Sequence, residues 1–309
     1  MGRYGQIALM MVFISTVLVT ATQEAGAEQT AAGDAIAEEV ITEEATPEDS
    51  GLVHKSALAI RATPIGLSLF SDTGYKVSLW DDPESDLFSN TKIEGGVTTA
   101  LSPAFGWVGP YVEFMPVAAL RLRLAAQFMG YFGNFGFLYV PEGEGELDWS
   151  SAALDRAEEE GLGVSSTGYM IHAQATPQMR FGRIVVTAET NFQWIRMGVD
   201  SDYYEPYYDL LFAPQEFMWI TRPTLGYLFG AELSEGYVLV GARWERAATS
   251  QTELVRDTVG MVFNWKVHNS IMQWGDPSIA GFGGVFIDHP DGDRGEISPY
   301  LGVQAVVNF

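Results

Sequence analysis

Cysteine is absent from all 309 residues, which excludes disulfides, thiolate catalysis, acylated-cysteine anchoring and cysteine zinc sites. Lysine is nearly absent: Lys and Arg together number 17 against 40 Asp and Glu, for a net charge of −23, and only four of the 17 are lysine. Binding phosphate requires a basic face, so a nucleic-acid partner is excluded. From about residue 53 onward no window reaches 18 consecutive apolar residues, which leaves helical membrane spans out of that region. Four histidines, His54, His172, His268 and His289, restrict acid–base chemistry to few places.

What is present is apolar and aromatic material, 47% and 13% of the chain. The opening MGRYGQIALMMVFISTVLVTATQEAGAEQ has one Arg, an apolar run from Ile7 to Thr20 and small residues at Ala25, Gly26 and Ala27. It reads as a secretory signal peptide over residues 1–27, because the run falls short of the roughly 20 residues a spanning helix needs. Residues 28–52 then carry eight carboxylates and no basic group. They read as a disordered acidic periplasmic tail, with a short amphipathic helix over AGDAIAEEVI as the alternative.

Alternation dominates residues 53–309. In LRLRLAAQF the residues Leu120, Leu122, Leu124, Ala126 and Phe128 share one face, and Arg121, Arg123 and Gln127 share the other. RIVVTAETNFQWI, YVLVGARWER and DTVGMVFNWKV repeat the pattern, which is the period of a strand with unlike faces. Strands are expected over 56–71, 95–115, 119–139, 167–180, 184–198, 216–233, 237–246, 254–267, 279–288 and 297–309, ten in all within a range of eight to twelve. Short connections near residues 116–118, 181–183, 234–236 and 268 alternate with long ones near 72–91, 141–165, 199–215, 247–253 and 288–296. Such alternation describes an antiparallel up-and-down sheet. Aromatics including Trp107, Tyr111, Phe114, Phe128, Tyr131, Trp194, Trp219, Tyr227, Phe229, Tyr237, Trp244 and Trp265 are expected as interfacial girdles near the strand ends.

The chain finishes on YLGVQAVVNF, with Leu301, Val303, Ala305 and Val307 alternating before Phe309. With the leader and the turn-and-loop alternation, this ending resembles the family of bacterial outer-membrane β-barrel proteins. The resemblance implies an all-β, antiparallel up-and-down transmembrane barrel with short periplasmic turns and long extracellular loops. It also implies outer-membrane lipid as surroundings and recognition of Phe309 and the last strand by the barrel-assembly machinery; the sequence itself reveals no oligomeric state, with a monomer favoured. Val307 departs from the pattern, since an aromatic is common there.

If the Leu and Val rows meet hydrocarbon, then Arg61, Glu113, Arg121, Arg123, Glu189, Arg222, Glu232, Arg243, Glu245, Arg256 and Lys266 face the lumen. An arginine on the lipid side would cost about 2–4 kcal/mol near the midplane. A ten-strand lumen is nearly filled by side chains, and its mixed charges should pair. Barrel enzymes of the resembled family use a His with Ser or Asp near the outer rim. His172 has no motif-linked nucleophile and reads as a lumen hydrogen-bonding residue. No cofactor is expected. Asp288, Asp291, Asp293 and Glu296 in DHPDGDRGEI alternate oxygen ligands around glycines, a candidate calcium loop without the full twelve-residue spacing. PEGEGELDWSSAALDRAEEEGLG holds eight carboxylates against one Arg, with a helix expected over 151–160 capped by Ser150 or Ser151. Non-enzymatic envelope structure, or surface binding through acidic loops, is the expected role. A narrow channel for small solutes or ions is the alternative, and an outer-membrane hydrolase comes third.

Overall fold

The computed structural model describes residues 50–62, 65–80, 87, 91–133, 138–140, 149–205, 207–230, 236–266, 276–290 and 299–308. Twelve strands close into one antiparallel barrel. In chain order they are β1 (Gly51–Ala62), β2 (Ile65–Trp80), β3 (Thr91–Leu101), β4 (Phe105–Val117), β5 (Leu120–Phe132), β6 (Ser165–Phe181) and β7 (Ile184–Met197). After a short hairpin, β8 (Tyr203–Glu205) and β9 (Leu210–Phe212), come β10 (Gln215–Phe229), β11 (Tyr237–Thr249), β12 (Val255–Lys266), β13 (Asp276–Asp288) and β14 (Pro299–Asn308). Each strand pairs with its sequence neighbour except at the seam, where Lys55 through Arg61 of β1 pair with Asn308 through Gly302 of β14. Among the described residues one helix, α1 (Ser151–Glu160), lies in the β5–β6 connection.

The barrel has twelve strands where ten are expected, because two expected strands are each a hairpin. The segment 56–71 is divided between β1 and β2, with Ala62 pairing Ile65, and 95–115 folds back at Ser102–Ala104, where the Ser102 amide donates to the Phe105 carbonyl at 2.8 Å. This shifts the parity of the connections. Antiparallel alternation puts the 81–90 connection on the short-turn end, beside Ala118–Ala119 and Gly182–Arg183, although it reads as one of the long-loop set. Two very short turns sit on the long-loop end. β2 also runs on to Trp80 and β11 to Thr249, through residues expected as loop.

On β5 the odd-numbered Arg121, Arg123, Ala125, Gln127, Met129 and Tyr131 are buried, while Leu122, Leu124, Ala126 and Phe128 are exposed. Across the barrel, outward Val112, Ile171, Val186, Leu225, Met261 and Val303 are likewise exposed. An apolar exterior around a polar interior is the partition of a membrane barrel, the reverse of a soluble one. Aromatics exposed at the strand ends form the two girdles: Phe132, Tyr169 and Phe217 at one end, and Tyr75, Phe181, Tyr227, Phe229 and Trp265 at the other. Trp107, Tyr111, Tyr131 and Tyr237 do not join them. Each shares the inward parity of its strand and is buried in the lumen.

Tight curvature is set where inward glycines face one another. Gly260 of β12 pairs with Gly284 of β13, and a Cβ on either would overlap the neighbouring strand's carbonyl oxygen. Gly74 and Gly96 form an equivalent pair between β2 and β3. Removing the side chain lets the backbones approach and the sheet bend.

Candidate functional site in the barrel interior

At mid-height the interior is a belt of opposed charges. Arg123 lies 2.5 Å from Asp72 of β2 and 3.6 Å from Glu113 of β4, and Arg121 lies 3.7 Å from the same Glu113. The Arg123 guanidinium stacks 4.1 Å from the Tyr111 ring, and Tyr111 donates to Glu94 at 2.5 Å. On the opposite wall Arg222 bridges Glu189 at 2.9 Å and Glu245 at 2.6 Å, and Arg256 pairs with the other oxygen of Glu245. Arg243 donates to Thr224 at 3.2 Å and lies over Phe282. Each charge sits beside an opposite one, as buried ions require.

His172 of β6 faces this belt. Its ring contacts the Asn191 side-chain oxygen, and the Asn191 amide donates to Glu189. The amide orients the ring and supplies no nucleophile. Lys266 is buried at the short-turn end of β12. Glu232, Asp291, Asp293, Glu296, His268 and Phe309 lie outside the described residues. Asp288 is exposed at the end of β13, in register with Asp257. Among the described residues, no three His, Asp or Glu groups converge to hold a metal ion.

Above the belt the lumen is filled from the long-loop end by the β8–β9 hairpin, a feature the 199–215 segment does not announce through periodicity. Tyr203, Tyr204, Glu205, Tyr208, Leu210, Leu211 and Phe212 are all buried. Of these, Tyr203, Tyr208, Leu210 and Phe212 pack with inward Phe105, Met129, Met170, Ile195, Met218 and Ile220 of the barrel wall. Tyr207 at the hairpin tip reaches Trp107 at 5.1 Å and Phe70 at 6.3 Å between ring centroids. Wall residues grip the tip's backbone: Arg61 donates to the Tyr207 carbonyl at 2.5 Å, and Arg256 to the Tyr208 carbonyl. Asp209 closes the turn in the left-handed region with φ 55°, which Asp tolerates.

Glu205 of the hairpin, outside the spanning strands, accepts from the Tyr131 hydroxyl and from the Tyr208 amide at 2.9 Å. Burial pushes its carboxyl up to about 7, against the pull of those donors and of Arg61. Trp149 caps the hairpin by packing on Tyr204 and Leu211, with its ring 5.5 Å from that of His289. His289 in turn lies 3.4 Å from Asp209, which accepts from Tyr204 at 2.7 Å. α1 follows immediately, its first turn capped by Ser150, whose hydroxyl accepts from the Ala153 amide at 3.3 Å. A second carboxylate, Glu216, is fully buried and accepts from the amides of Phe217, Ser250, Gln251 and Thr252 at 2.8–3.2 Å. It fastens the β11–β12 connection over the rim.

The architecture and the lumen define the class: the fold is that of bacterial outer-membrane β-barrels. Solved structures similar in fold include the beta domain of the Bordetella autotransporter BrkA, at 11% identity over 85% of this chain and 100% of that one, TM-score 0.44. An outer membrane channel from Pseudomonas putida shares 9% identity over 87% and 98%, TM-score 0.40. OmpT, an outer membrane protein of Vibrio cholerae, shares 6% over 84% and 96%, TM-score 0.33. No protein-family model and no curated protein matches the sequence.

Proposed function

We propose that this protein is a non-enzymatic outer-membrane barrel that contributes envelope structure and surface binding, with its lumen closed in the resting state. The observation that carries the reading is the β8–β9 hairpin seated in the outer half of the lumen beneath Trp149. It converts the long-loop end from a mouth into a packed cap. Residues 141–163 carry eight carboxylates, which suit a basic partner or a divalent-cation bridge to lipid phosphate. Export through the 1–27 leader and assembly through β14 and Phe309 complete the reading. Planar-bilayer recording tests it: the intact protein should carry no steady current, while a variant lacking residues 200–213 should conduct. Steady wild-type current abolished by Arg121→Gln or Arg123→Gln would overturn closure and establish the channel alternative. That alternative draws on the continuous charged belt below the hairpin, which a withdrawn loop would expose. Hydrolysis of lipid or peptide lost in His172→Ala would instead establish the enzyme.

A further inference from the structure

The β8–β9 hairpin crosses the outer mouth from one wall to the wall opposite. It leaves β7 after Met197 and joins β10 at Gln215, while the guanidinium that meets its tip, Arg61, belongs to β1. In the strand order of the closed barrel, β7 and β10 stand half a circuit away from β1 and β2.

The two ends of this span are held by contacts of different kinds. At the root everything converges on Glu216, fully buried at the start of β10. Besides the amides of Phe217, Ser250, Gln251 and Thr252, it accepts from the Ala213 amide at 3.4 Å and the Ser250 hydroxyl at 3.3 Å. The Thr252 hydroxyl donates to the Leu211 carbonyl at 3.0 Å, and the Met197 amide to the Pro214 carbonyl at 2.9 Å. Pulling the root free would leave a buried carboxylate stripped of its donors, which is the most expensive way to break such a network. The tip is gripped instead by single side chains from separate elements: Arg61 of β1, Arg256 of β12, and His289 just beyond β13. Arg256 keeps Glu245 as a partner when the tip leaves, and Arg61 is only half-buried. The tip is therefore the end that can let go.

We propose that the hairpin is a hinged lid, pivoting about the Glu216 root beside β7 and β10, with Arg61 on the opposite wall as the latch that holds its tip. Opening breaks the Arg61 and Arg256 bonds to the Tyr207 and Tyr208 carbonyls, together with the 2.7 Å bond from the Tyr204 amide to the Tyr139 carbonyl. The Glu216 network stays whole. The inference rests on the reading that this hairpin closes the lumen, and adds which end moves and which residue holds it.

A chain without cysteine allows single-cysteine labelling of the folded full-length protein in detergent micelles. Tyr208→Cys marks the tip and Tyr203→Cys the root, both at buried positions. With a water-soluble maleimide at one fixed pH, the tip cysteine should react at least several-fold faster than the root cysteine. Adding Arg61→Gln should speed the tip several-fold further and leave the root rate unchanged, and Arg61→Lys should restore most of the slow tip rate. Equal rates at the two positions would mean that the hairpin leaves as a unit, and would overturn the hinge without any change at Arg61. An unchanged tip rate in Arg61→Gln would overturn the latch. Current is not the readout, so a wild-type lumen that conducts would defeat the closed reading while the tip-to-root ratio still reports on the lid.

Discussion

At the scale of single residues, Glu205 gives the docked β8–β9 hairpin a dependence on pH. Its carboxyl is raised from an ordinary 4.5 to about 7 when the hairpin is docked. The docked state therefore favours the neutral acid. The stabilisation is complete below about pH 4.5, declines as pH rises, and is gone above about 7. One unit is worth 1.36 kcal/mol, so docking weakens by roughly 3 kcal/mol across that window. Chymotryptic cleavage at Tyr207 and Tyr208 should accordingly be slow at about pH 5 and much faster at about pH 8. Glu205→Gln should flatten the profile, and a wild-type rate that tracks only the protease's own pH dependence would refute the assignment. Arg222 acts through pairing instead: its guanidinium binds Glu189 and shares Glu245 with Arg256, and its loss would strip Glu189 of that ion pair, at a cost of several kcal/mol.

Elements obey backbone constraints that side-chain burial does not reveal. Gly260→Val should prevent β12 and β13 from closing, because its Cβ meets backbone rather than a yielding side chain. Gly281→Val points outward, where the nearest atom to a new Cβ is 3.5 Å away, and should fold. Heat-modifiable gel migration separates the two: the first variant should lose the compact band and the second should keep it. Strand identity and facing were legible because a period of two survives any context that wets one face, and Arg121 and Arg123 alone orient β5. The breaks between Ala62 and Ile65 and at 102–104 were not legible, since two or three residues scarcely interrupt that period. Tyr131 was legible as interior through its parity with Arg123, and end-of-strand position misassigns it. The β8–β9 hairpin follows no period at all. Its only mark is composition, because YYEPYYDLLF is too aromatic for a loop left in water.

At the scale of the whole molecule, the distribution of arginine and leucine makes sense only if hydrocarbon surrounds the barrel. A soluble protein with Leu124 at 55% exposure and Phe132 at 50% would tolerate arginine at either. A bilayer distinguishes them by depth. Leu124 lies near the middle of β5, and Phe132 ends the strand in the outer aromatic girdle. Leu124→Arg should destabilise the barrel folded into phospholipid vesicles by about 2–4 kcal/mol, and Phe132→Arg by about 0–1 kcal/mol. Urea titrations of the two variants in vesicles read the difference directly. Equal costs at the two depths would mean the outward rows do not meet acyl chains. The charge belt would then need another reason to sit inside, because with water outside nothing forces Arg121, Arg123, Arg222 and Arg243 away from the surface. The ratio of those two free energies therefore tests the orientation on which the inward charge belt and the packed hairpin above it depend.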